Sequence, residues 1–416
     1  MEIPETVSGR RVTNRGVHLQ PSGQHAGEKG WMARADYWIG LLVGMHLSWV
    51  TAISDSDALY TSGAARALLE AGVIPIVRFA YTFPGPWTHG AAVEQLANLY
   101  ARYNAPLVVQ FANEPFDERE WRNKQVPNYE SAWAIIAARW AEAAKAITER
   151  GAVAGFPDGP CYSENPFERI RATEDLWHEG KAVYLGHFYG KNRPLDYPYD
   201  EVSQRGVPLT MEEYRRLLDD YADDPQWNEG PSVLAQINAQ RRAWARPGQT
   251  ALDDDTCFRG YEKVLAWSRA SFGFEVPLAM TEGGWTPRDR PGSGHAVDIR
   301  WPMTTPRRVA ELTLAMYEAD TPMFALTPWI LASDDMGASG WPDDCWVGYA
   351  FAERYGREKP VVRALKEKAP EAAPGVAPGL SAPARIAAAR DRLAGLDLAG
   401  ARQALEGVMV GMLGRG

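Results

Sequence analysis

The stretch PLVVQFANEP, residues 106–115, is a short apolar run that ends on an amide, a carboxylate and a proline. A strand that is buried on both faces shows a nearly continuous apolar sequence, as parallel strands in α/β folds do. Proline cannot continue the hydrogen bonding of a central strand, so the run has a defined end. The stretch therefore predicts a buried parallel strand with Asn113 and Glu114 at its carboxyl end.

Seven similar runs occur along the chain, and amphipathic stretches separate most of them. The other predicted strands are residues 15–19, 48–54, 73–80, 152–157, 182–189, 277–282 and 322–331. The intervening stretches have the 3.6-residue apolar spacing of helices, for example 63–72, 131–150 and 307–319. Eight strand–helix units predict an α/β fold, a (β/α)8 TIM barrel. A doubly wound open sheet is the alternative, although no GxGxxG follows any predicted strand.

The chain is expected to have three parts. Residues 1–366 are the predicted (β/α)8 catalytic domain, 367–383 a Pro/Ala linker, and 384–416 a small C-terminal helical hairpin. A long insertion, from about residue 191 to 255, follows the sixth predicted strand and is rich in Asp, Pro, Tyr and Trp. It is either a functional loop on the carboxyl-end face of the barrel or a surface insertion with short helices of its own.

Composition and charge narrow the range of partners. The 416 residues include 53 acidic and 44 basic side chains, for a net charge of −9. This balance argues against nucleic acid or an anionic membrane as the main partner. The three cysteines lie far apart without CxxC spacing, so no zinc site is expected from them. The apolar run at 37–53 fits a helix followed by a buried strand better than a transmembrane helix.

The location of the protein stays undecided between two alternatives. The first sixteen residues, MEIPETVSGRRVTNRG, lack the apolar core of a signal peptide. This fits a cytoplasmic protein or a secreted enzyme whose leader has been trimmed.

Two glutamates fall at predicted strand ends on opposite sides of the barrel mouth. Glu114 ends the fourth strand and Glu282 ends the seventh. Catalytic residues of TIM barrels project from the carboxyl ends of strands. A facing pair of carboxyl groups is what cleavage of a glycosidic bond requires, one as an acid and the other to meet the anomeric centre. The pair therefore predicts a glycoside hydrolase.

The sequence around these glutamates resembles a known group of enzymes. Asn-Glu-Pro at 113–115, TEGGW at 281–285 and LTPWIL at 326–331 end the fourth, seventh and eighth predicted strands. This pattern resembles clan A glycoside hydrolases of the cellulase-like superfamily, the retaining (β/α)8 enzymes that include many cellulases, mannanases and xylanases. The resemblance covers roughly residues 10–365.

The resemblance implies roles for individual residues. It implies that Glu114 is the acid/base and Glu282 the nucleophile, and that Asn113 bonds the 2-hydroxyl of the sugar. It also implies that Tyr189 orients Glu282 and that Trp329 forms the floor of the sugar subsite next to the scissile bond.

Three further residues belong to the predicted substrate site. Many clan A enzymes carry an arginine at the end of strand two, which this sequence lacks, and Arg78 on the third strand is the nearest candidate. His187 and Tyr189 resemble the His-x-Tyr of strand six in cellulase-like members, although His187 also fits a buried core histidine. Trp285 and Trp329, among 16 tryptophans, follow strand ends and are either sugar-stacking residues or core fillers.

The expected function is hydrolysis of a β-linked oligo- or polysaccharide by double displacement, with endo action favoured by the long insertion. This mechanism requires no metal and no organic cofactor. The expected partner is a carbohydrate, and the oligomeric state is not predicted. One alternative is a cell-wall hydrolase that cuts peptidoglycan or another amino-sugar polymer. The other is a carbohydrate-binding barrel that has lost catalysis, which the presence of both glutamates disfavours.

Overall fold

The computed structural model of the chain describes residues 1–19, 35–54, 58–158, 164–218, 231–286, 298–331, 345–347 and 358–370. The predicted hairpin at 384–416 lies outside these residues, as does the linker beyond residue 370. The domain boundaries proposed from the sequence therefore stay predictions.

The main sheet consists of eight parallel strands arranged in chain order. A short antiparallel hairpin, β1 (Thr6–Val7) and β2 (Arg10–Arg11), precedes it. The strands of the main sheet are β3 (Gly16–His18), β4 (Trp49–Ser54), β5 (Ile74–Phe79), β6 (Val108–Gln110), β7 (Val153–Pro157), β8 (Ala182–Tyr189), β9 (Leu278–Gly284) and β10 (Met323–Leu326). Each coincides with one of the eight predicted runs. The fourth ends at Gln110 rather than at Asn113, and the eighth ends at Leu326 rather than at residue 331.

The first and last strands of this sheet meet, so the sheet curls into a barrel. Arg15 forms a parallel bridge with Leu326, and the backbone N–H of Leu326 donates to the Asn14 carbonyl at 2.8 Å. Further along the same two chain segments, the N–H of His18 donates to the Pro328 carbonyl at 2.9 Å. The predicted TIM barrel is confirmed.

Helices connect the strands and cover the outside of the barrel. Local signals define several of their ends. Asn128 accepts from the backbone N–H of Ser131 at the start of the helix Tyr129–Thr148, and Thr305 precedes Pro306 at the start of the helix Pro306–Glu318. The helices are α1 (Ala35–Gly44), α2 (Ala58–Glu70), α3 (Gly90–Ala101), α4 (Tyr129–Thr148), α5 (Pro166–Arg169), α6 (Glu174–His178), α7 (Glu201–Arg205), α8 (Met211–Leu218), α9 (Pro231–Ala243), α10 (Tyr261–Phe272), α11 (Pro306–Glu318) and α12 (Pro360–Glu367).

The apolar run that was compared with a membrane span is divided between two elements. Residues 37–53 form the greater part of α1 and then β4. Among the described residues, no helix is long and apolar enough to cross a membrane.

The connection from β8 to β9 contains the predicted insertion and carries short helices of its own, α7, α8 and α9. Helices α8 and α9 bury a small apolar cluster that includes Tyr214, Leu234 and Ile237. The local cluster gives this part of the chain a core separate from the barrel core.

The start of the insertion is bound to the segment after β9 by a buried polar network. The Asn192 side chain and the Asp298 backbone exchange two hydrogen bonds, of 2.8 and 2.9 Å. Asp298 also accepts from Arg193 at 3.2 Å and from Arg300 at 2.7 Å. Burial raises the pKa of Asp298, but Arg300 and Arg193 outweigh that effect and hold it below its usual value. The network therefore contains an ionised, paired aspartate.

Gly16, at the seam where β3 meets β10, provides a test of barrel closure. A Cβ at this position would lie 2.7 Å from the Thr327 methyl group and 2.7 Å from the Trp49 carbonyl oxygen. We expect Gly16→Ala to lower the free energy of unfolding by about 1–3 kcal/mol, because a packed interior accommodates extra volume only by strain. Urea unfolding measures this loss.

Gly40 is the matched control, because it lies on the exposed side of α1 with nothing within 4 Å of an added Cβ. Gly40→Ala should raise the free energy of unfolding by roughly 0.5–1 kcal/mol, the usual gain in a helix interior. Equal stability of the two variants would contradict the tight closure at Gly16.

Candidate active site

The carboxyl ends of four strands bring together most of the predicted site residues. Arg78 lies on β5, His187 and Tyr189 end β8, and Glu282 lies on β9. Glu114 stands in the loop that follows β6. Parallel strands of a closed barrel end on one face, so residues distant in sequence meet there.

A local irregularity between β8 and β9 sets the register of the site. Gly186 pairs with Met280, but the next residue, His187, pairs with Glu282 rather than with Thr281. Such bulges redirect side chains and are common beside active sites. Gly283 follows with a φ of +135°, and a Cβ there would lie 2.4 Å from the Phe188 carbonyl oxygen, so glycine is required.

Glu282 is a buried carboxylate whose two oxygens both accept hydrogen bonds. Arg78 Nη1 donates to Oε1 at 2.5 Å, and the Tyr189 hydroxyl donates to Oε2 at 2.8 Å. Burial alone raises the pKa of Glu282, but the charges of His187 and Arg78 outweigh it and hold the pKa well below its usual value. Both contacts expected from the sequence are present, and they keep Glu282 ionised.

Glu114 lies in a more open environment than Glu282. Its side chain is 15% exposed, against 7% for Glu282. His187 Nδ1 lies 3.1 Å from Oε1, and Arg119 Nη2 lies 3.6 Å from Oε2. Arg119 itself is held by Asp117, which accepts from its Nε at 2.9 Å. Glu114 is therefore more accessible to solvent than Glu282.

The two carboxyl groups are close together, and His187 stands between them. Oxygens of Glu114 and Glu282 lie within 4.8 Å of each other. His187 Nδ1 is 3.1 Å from Glu114 and 3.7 Å from Glu282. Burial lowers the pKa of His187, but Glu282 and Glu114 outweigh that effect and raise it. The carboxyl groups on either side of His187 therefore favour its protonated form.

The same three side chains are compact enough to hold a metal ion, since Glu114, His187 and Glu282 each offer a ligand atom within that 4.8 Å. Both oxygens of Glu282 are already engaged, however, one of them by the Arg78 guanidinium at 2.5 Å. A cation would have to displace a fixed positive charge. The donor set is better explained as a pair of acidic side chains, one of which is bound by arginine and tyrosine, than as a metal site.

Trp329 and His18 form an aromatic wall next to Glu282. Their ring centroids are 4.7 Å apart, and His18 Nε2 lies 3.9 Å from Glu282 Oε1. Burial and the nearby Arg78 lower the pKa of His18 to about 3, so the ring is neutral. Trp329, at 8% exposure, lies just after β10, where the sequence places it.

Trp285 has a different environment. Its ring is 1% exposed, its Nε1 donates to the Arg193 carbonyl at 2.8 Å, and it packs against Phe258. A ring so buried offers no face to a sugar in this structure. A stacking role for Trp285 stays a prediction. The structure shows instead its hydrogen bond to Arg193, at the start of the insertion.

The structure adds one acidic residue that sequence reasoning missed. Asn113 Nδ2 donates to Glu120 Oε1 at 3.0 Å. Burial raises the pKa of Glu120, and the Asn113 bond and the charge of Arg78 partly offset this. The loop after β6 contains Glu114, Asp117, Glu118 and Glu120, and no sequence spacing distinguishes which of them turns toward the site.

Comparison with known proteins finds similarity only at the level of solved structures. No protein-family model matches the sequence, and no curated protein matches it. A β-glucuronidase from an uncultured Clostridium has 11% identity and a TM-score of 0.42, over 88% of this chain and 52% of its own. The GH2 β-galacturonidase of Eisenbergiella tayi bound to galacturonate has 11% identity and a TM-score of 0.44, over 86% and 51%.

A third solved structure, the endo-β-mannanase/endo-β-glucanase of Prevotella bryantii, has 12% identity and a TM-score of 0.41 over 85% of this chain and 48% of its own. All three are glycoside hydrolases by name, and this chain spans about half their length. At these identities and scores, any assignment of function rests on the geometry of the site itself.

The low pKa of Glu282 predicts a specific dependence of stability on pH. A carboxylate whose pKa is depressed in the folded state stabilises that state above the unfolded pKa, near 4.3, and loses this contribution as pH falls. We expect the free energy of unfolding of wild type, relative to Glu282→Gln, to increase from pH 3 to pH 6. Urea unfolding at each pH measures the difference.

The exposed ion pair of Arg308 and Glu311 provides the control. Glu311→Gln removes a surface carboxylate, and its effect should stay under about 1 kcal/mol across the same range. A wild-type advantage over Glu282→Gln that is constant with pH would contradict the charged, paired state of Glu282.

Proposed function

We propose that this protein is a retaining glycoside hydrolase that cleaves a β-linked oligo- or polysaccharide, with Glu282 as nucleophile and Glu114 as acid/base. The observation that carries the proposal is the facing pair of carboxyl groups in unlike environments. Glu282 is buried and held by Arg78 and Tyr189, while Glu114 lies opposite in a more open position.

The distance between the carboxyl groups supports retention of configuration. Retaining enzymes hold their two carboxyl groups about 5–5.5 Å apart, whereas inverting enzymes leave about 6.5–9.5 Å for a water molecule. Oxygens of Glu114 and Glu282 lie within 4.8 Å of each other. This spacing fits direct attack by a carboxylate better than attack by a water held between the two groups.

The first step uses the ionised state of Glu282. A Glu282 oxygen bonds to the anomeric carbon as the glycosidic bond breaks, and Glu114 gives its proton to the leaving oxygen. The Tyr189 hydroxyl and Arg78 hold the attacking carboxylate in a fixed orientation. They also lower its free energy as an anion, so it attacks without first having to lose a proton.

The second step returns the enzyme to its starting state. Glu114, now a carboxylate, accepts a proton from water as the water oxygen bonds to the anomeric carbon. The bond from that carbon to Glu282 breaks, which restores the ionised nucleophile and releases a product of retained configuration. The greater exposure of Glu114 gives water access to it.

The remaining site residues are assigned to substrate binding. Asn113, next to Glu114, is expected to donate to the 2-hydroxyl of the sugar, and Trp329 to provide the floor of the subsite. His187, between the two carboxyl groups, is expected to bind near the anomeric centre. The net charge of −9 favours a carbohydrate over nucleic acid or an anionic membrane as partner.

Two alternatives to this function are an inactive carbohydrate-binding barrel and a cell-wall hydrolase. Both carboxyl groups have intact polar partners, which argues against an inactive carbohydrate-binding barrel. Action on peptidoglycan but not on plant-type glucans would identify a cell-wall hydrolase. A panel of β-1,4- and β-1,3-glucans, mannan, xylan, galactan, peptidoglycan and 4-nitrophenyl β-glycosides separates these cases, and product lengths distinguish endo from exo action.

The two glutamates should respond differently to the leaving group. Glu282→Ala should abolish turnover of every substrate, because no nucleophile remains. Glu114→Ala should reduce kcat on natural glycosides about 10²–10⁴-fold but much less on 2,4-dinitrophenyl glycosides, whose leaving group needs no proton. Steady-state kinetics on both substrate types measures this contrast. Small and equal losses in the two variants would exclude the assignment.

The stereochemistry of the product tests the mechanism independently. If Glu282 forms a covalent intermediate, the sugar released from a β-glycoside is initially the β-anomer. Proton NMR within the first minutes of reaction, before mutarotation, distinguishes the anomers. Initial formation of the α-anomer would show inversion and refute the double displacement while leaving glycosidase activity intact.

A further inference from the structure

The loop after β6 carries a third carboxylate, Glu120, whose side chain turns back toward the site. Its Oε1 accepts from Asn113 Nδ2 at 3.0 Å. Glu120 also lies in the electrostatic field of Arg78, the residue that holds Glu282, and of Glu114. This acid is bonded to Asn113, the neighbour of Glu114 in the chain, and has no assigned part in the mechanism above.

The backbone fixes Glu120 firmly. The Asp117 side chain accepts from the N–H of Arg119 and begins a single 3-10 turn, Glu118–Glu120. The Glu120 carbonyl accepts from the N–H of Phe83 at 2.8 Å, which joins this loop to the one that follows β5. The Trp121 indole donates to the Pro115 carbonyl at 2.7 Å. The carboxylate is therefore presented by a turn that hydrogen bonds hold on both sides.

The neighbouring charges leave Glu120 available to Asn113. Arg119, the adjacent residue in the chain, directs its guanidinium to Asp117 through Nε and Nη2. The side-chain partner of Glu120 within the described part of the chain is the Asn113 amide. A half-buried acid bonded to a neutral amide, rather than to a surface cation, is better suited to orienting that amide than to stabilising the fold.

An ionised carboxylate only accepts hydrogen bonds, so it selects one of the two orientations of the amide. With Nδ2 on Glu120, the Asn113 Oδ1 is buried, and the described residues offer it no partner. Rotation of the amide by 180° would bring Oδ1 against the Glu120 carboxylate and is opposed by repulsion. Nδ2 carries two hydrogens, and Glu120 takes one of them, so the second N–H stays available as a donor.

We propose that Glu120 is a positioning residue that fixes the Asn113 amide with its N–H toward the sugar, and thereby sets recognition of the hydroxyl at C-2. The inference rests on the proposed glycosidase function. Contacts to the C-2 hydroxyl strengthen in the transition state of glycoside cleavage, so a fixed donor there acts mainly on kcat/KM. If the Asn113 amide were free to rotate, a fraction of the enzyme molecules would present Oδ1 to the sugar instead of an N–H.

The test compares substrates that differ only at C-2. The probes are the 4-nitrophenyl β-glycoside that wild type cleaves best and its 2-deoxy analogue. The measured quantity is the ratio of kcat/KM between the two. For Glu120→Gln, whose amide tolerates either orientation of Asn113, we expect this ratio to fall at least 10-fold through loss on the 2-hydroxy substrate alone.

Glu118→Gln is the matched control, because it makes the same chemical change at an exposed position in the same turn. Its ratio should equal that of wild type. Asn113→Ala should lower the ratio as Glu120→Gln does, and the double variant should show no further fall, because both changes act on one contact. Glu120→Asp, which shortens the side chain by one methylene, provides a second variant if Glu120→Gln fails to fold.

The outcomes separate the inference from the function on which it rests. An unchanged ratio in Glu120→Gln, or equal losses on both substrates, overturns the positioning role while the wild-type activity stands. Hydrolysis of no glycoside by wild type overturns the proposed function, and the role of Glu120 with it.

Discussion

The ion pair between Arg78 and Glu282 is the interaction on which the site depends. A carboxylate buried to this degree costs several kcal/mol unless charge and hydrogen bonds compensate for it. Arg78 comes from β5 and Tyr189 from β8, so the compensation exists only when strands separated by more than a hundred residues end on the same face. The ionised state of Glu282 therefore depends on the assembly of these strands into one sheet.

From that pair the unlike character of the two glutamates follows. Arg78 and Tyr189 occupy both oxygens of Glu282 and hold the charge in place. Glu114 is contacted instead by His187, which also lies 3.7 Å from Glu282, and by the more distant Arg119. The proposed chemistry needs this difference, because Glu282 must keep its charge while Glu114 gains and loses a proton.

The fold was largely predictable, because strands buried on both faces leave continuous apolar runs that need no tertiary information to be recognised. The eighth strand ends at Leu326, before the end of its run, because Pro328 has no N–H for the ladder. The bulge that pairs His187 with Glu282 left no mark in the sequence. Glu120 was missed for a related reason, since loop geometry alone distinguishes it from the other acids around it.

The network around Asp298 limits how the insertion after β8 can be deleted or replaced. The insertion after β8 is attached through Asn192 and Arg193 to a segment about a hundred residues further along the chain. Deleting or exchanging the insertion alone would leave the ionised Asp298 buried beside a single arginine. The insertion and the segment that contains Asp298 and Arg300 therefore have to be kept together. A graft of the insertion into another barrel would have to transfer both segments.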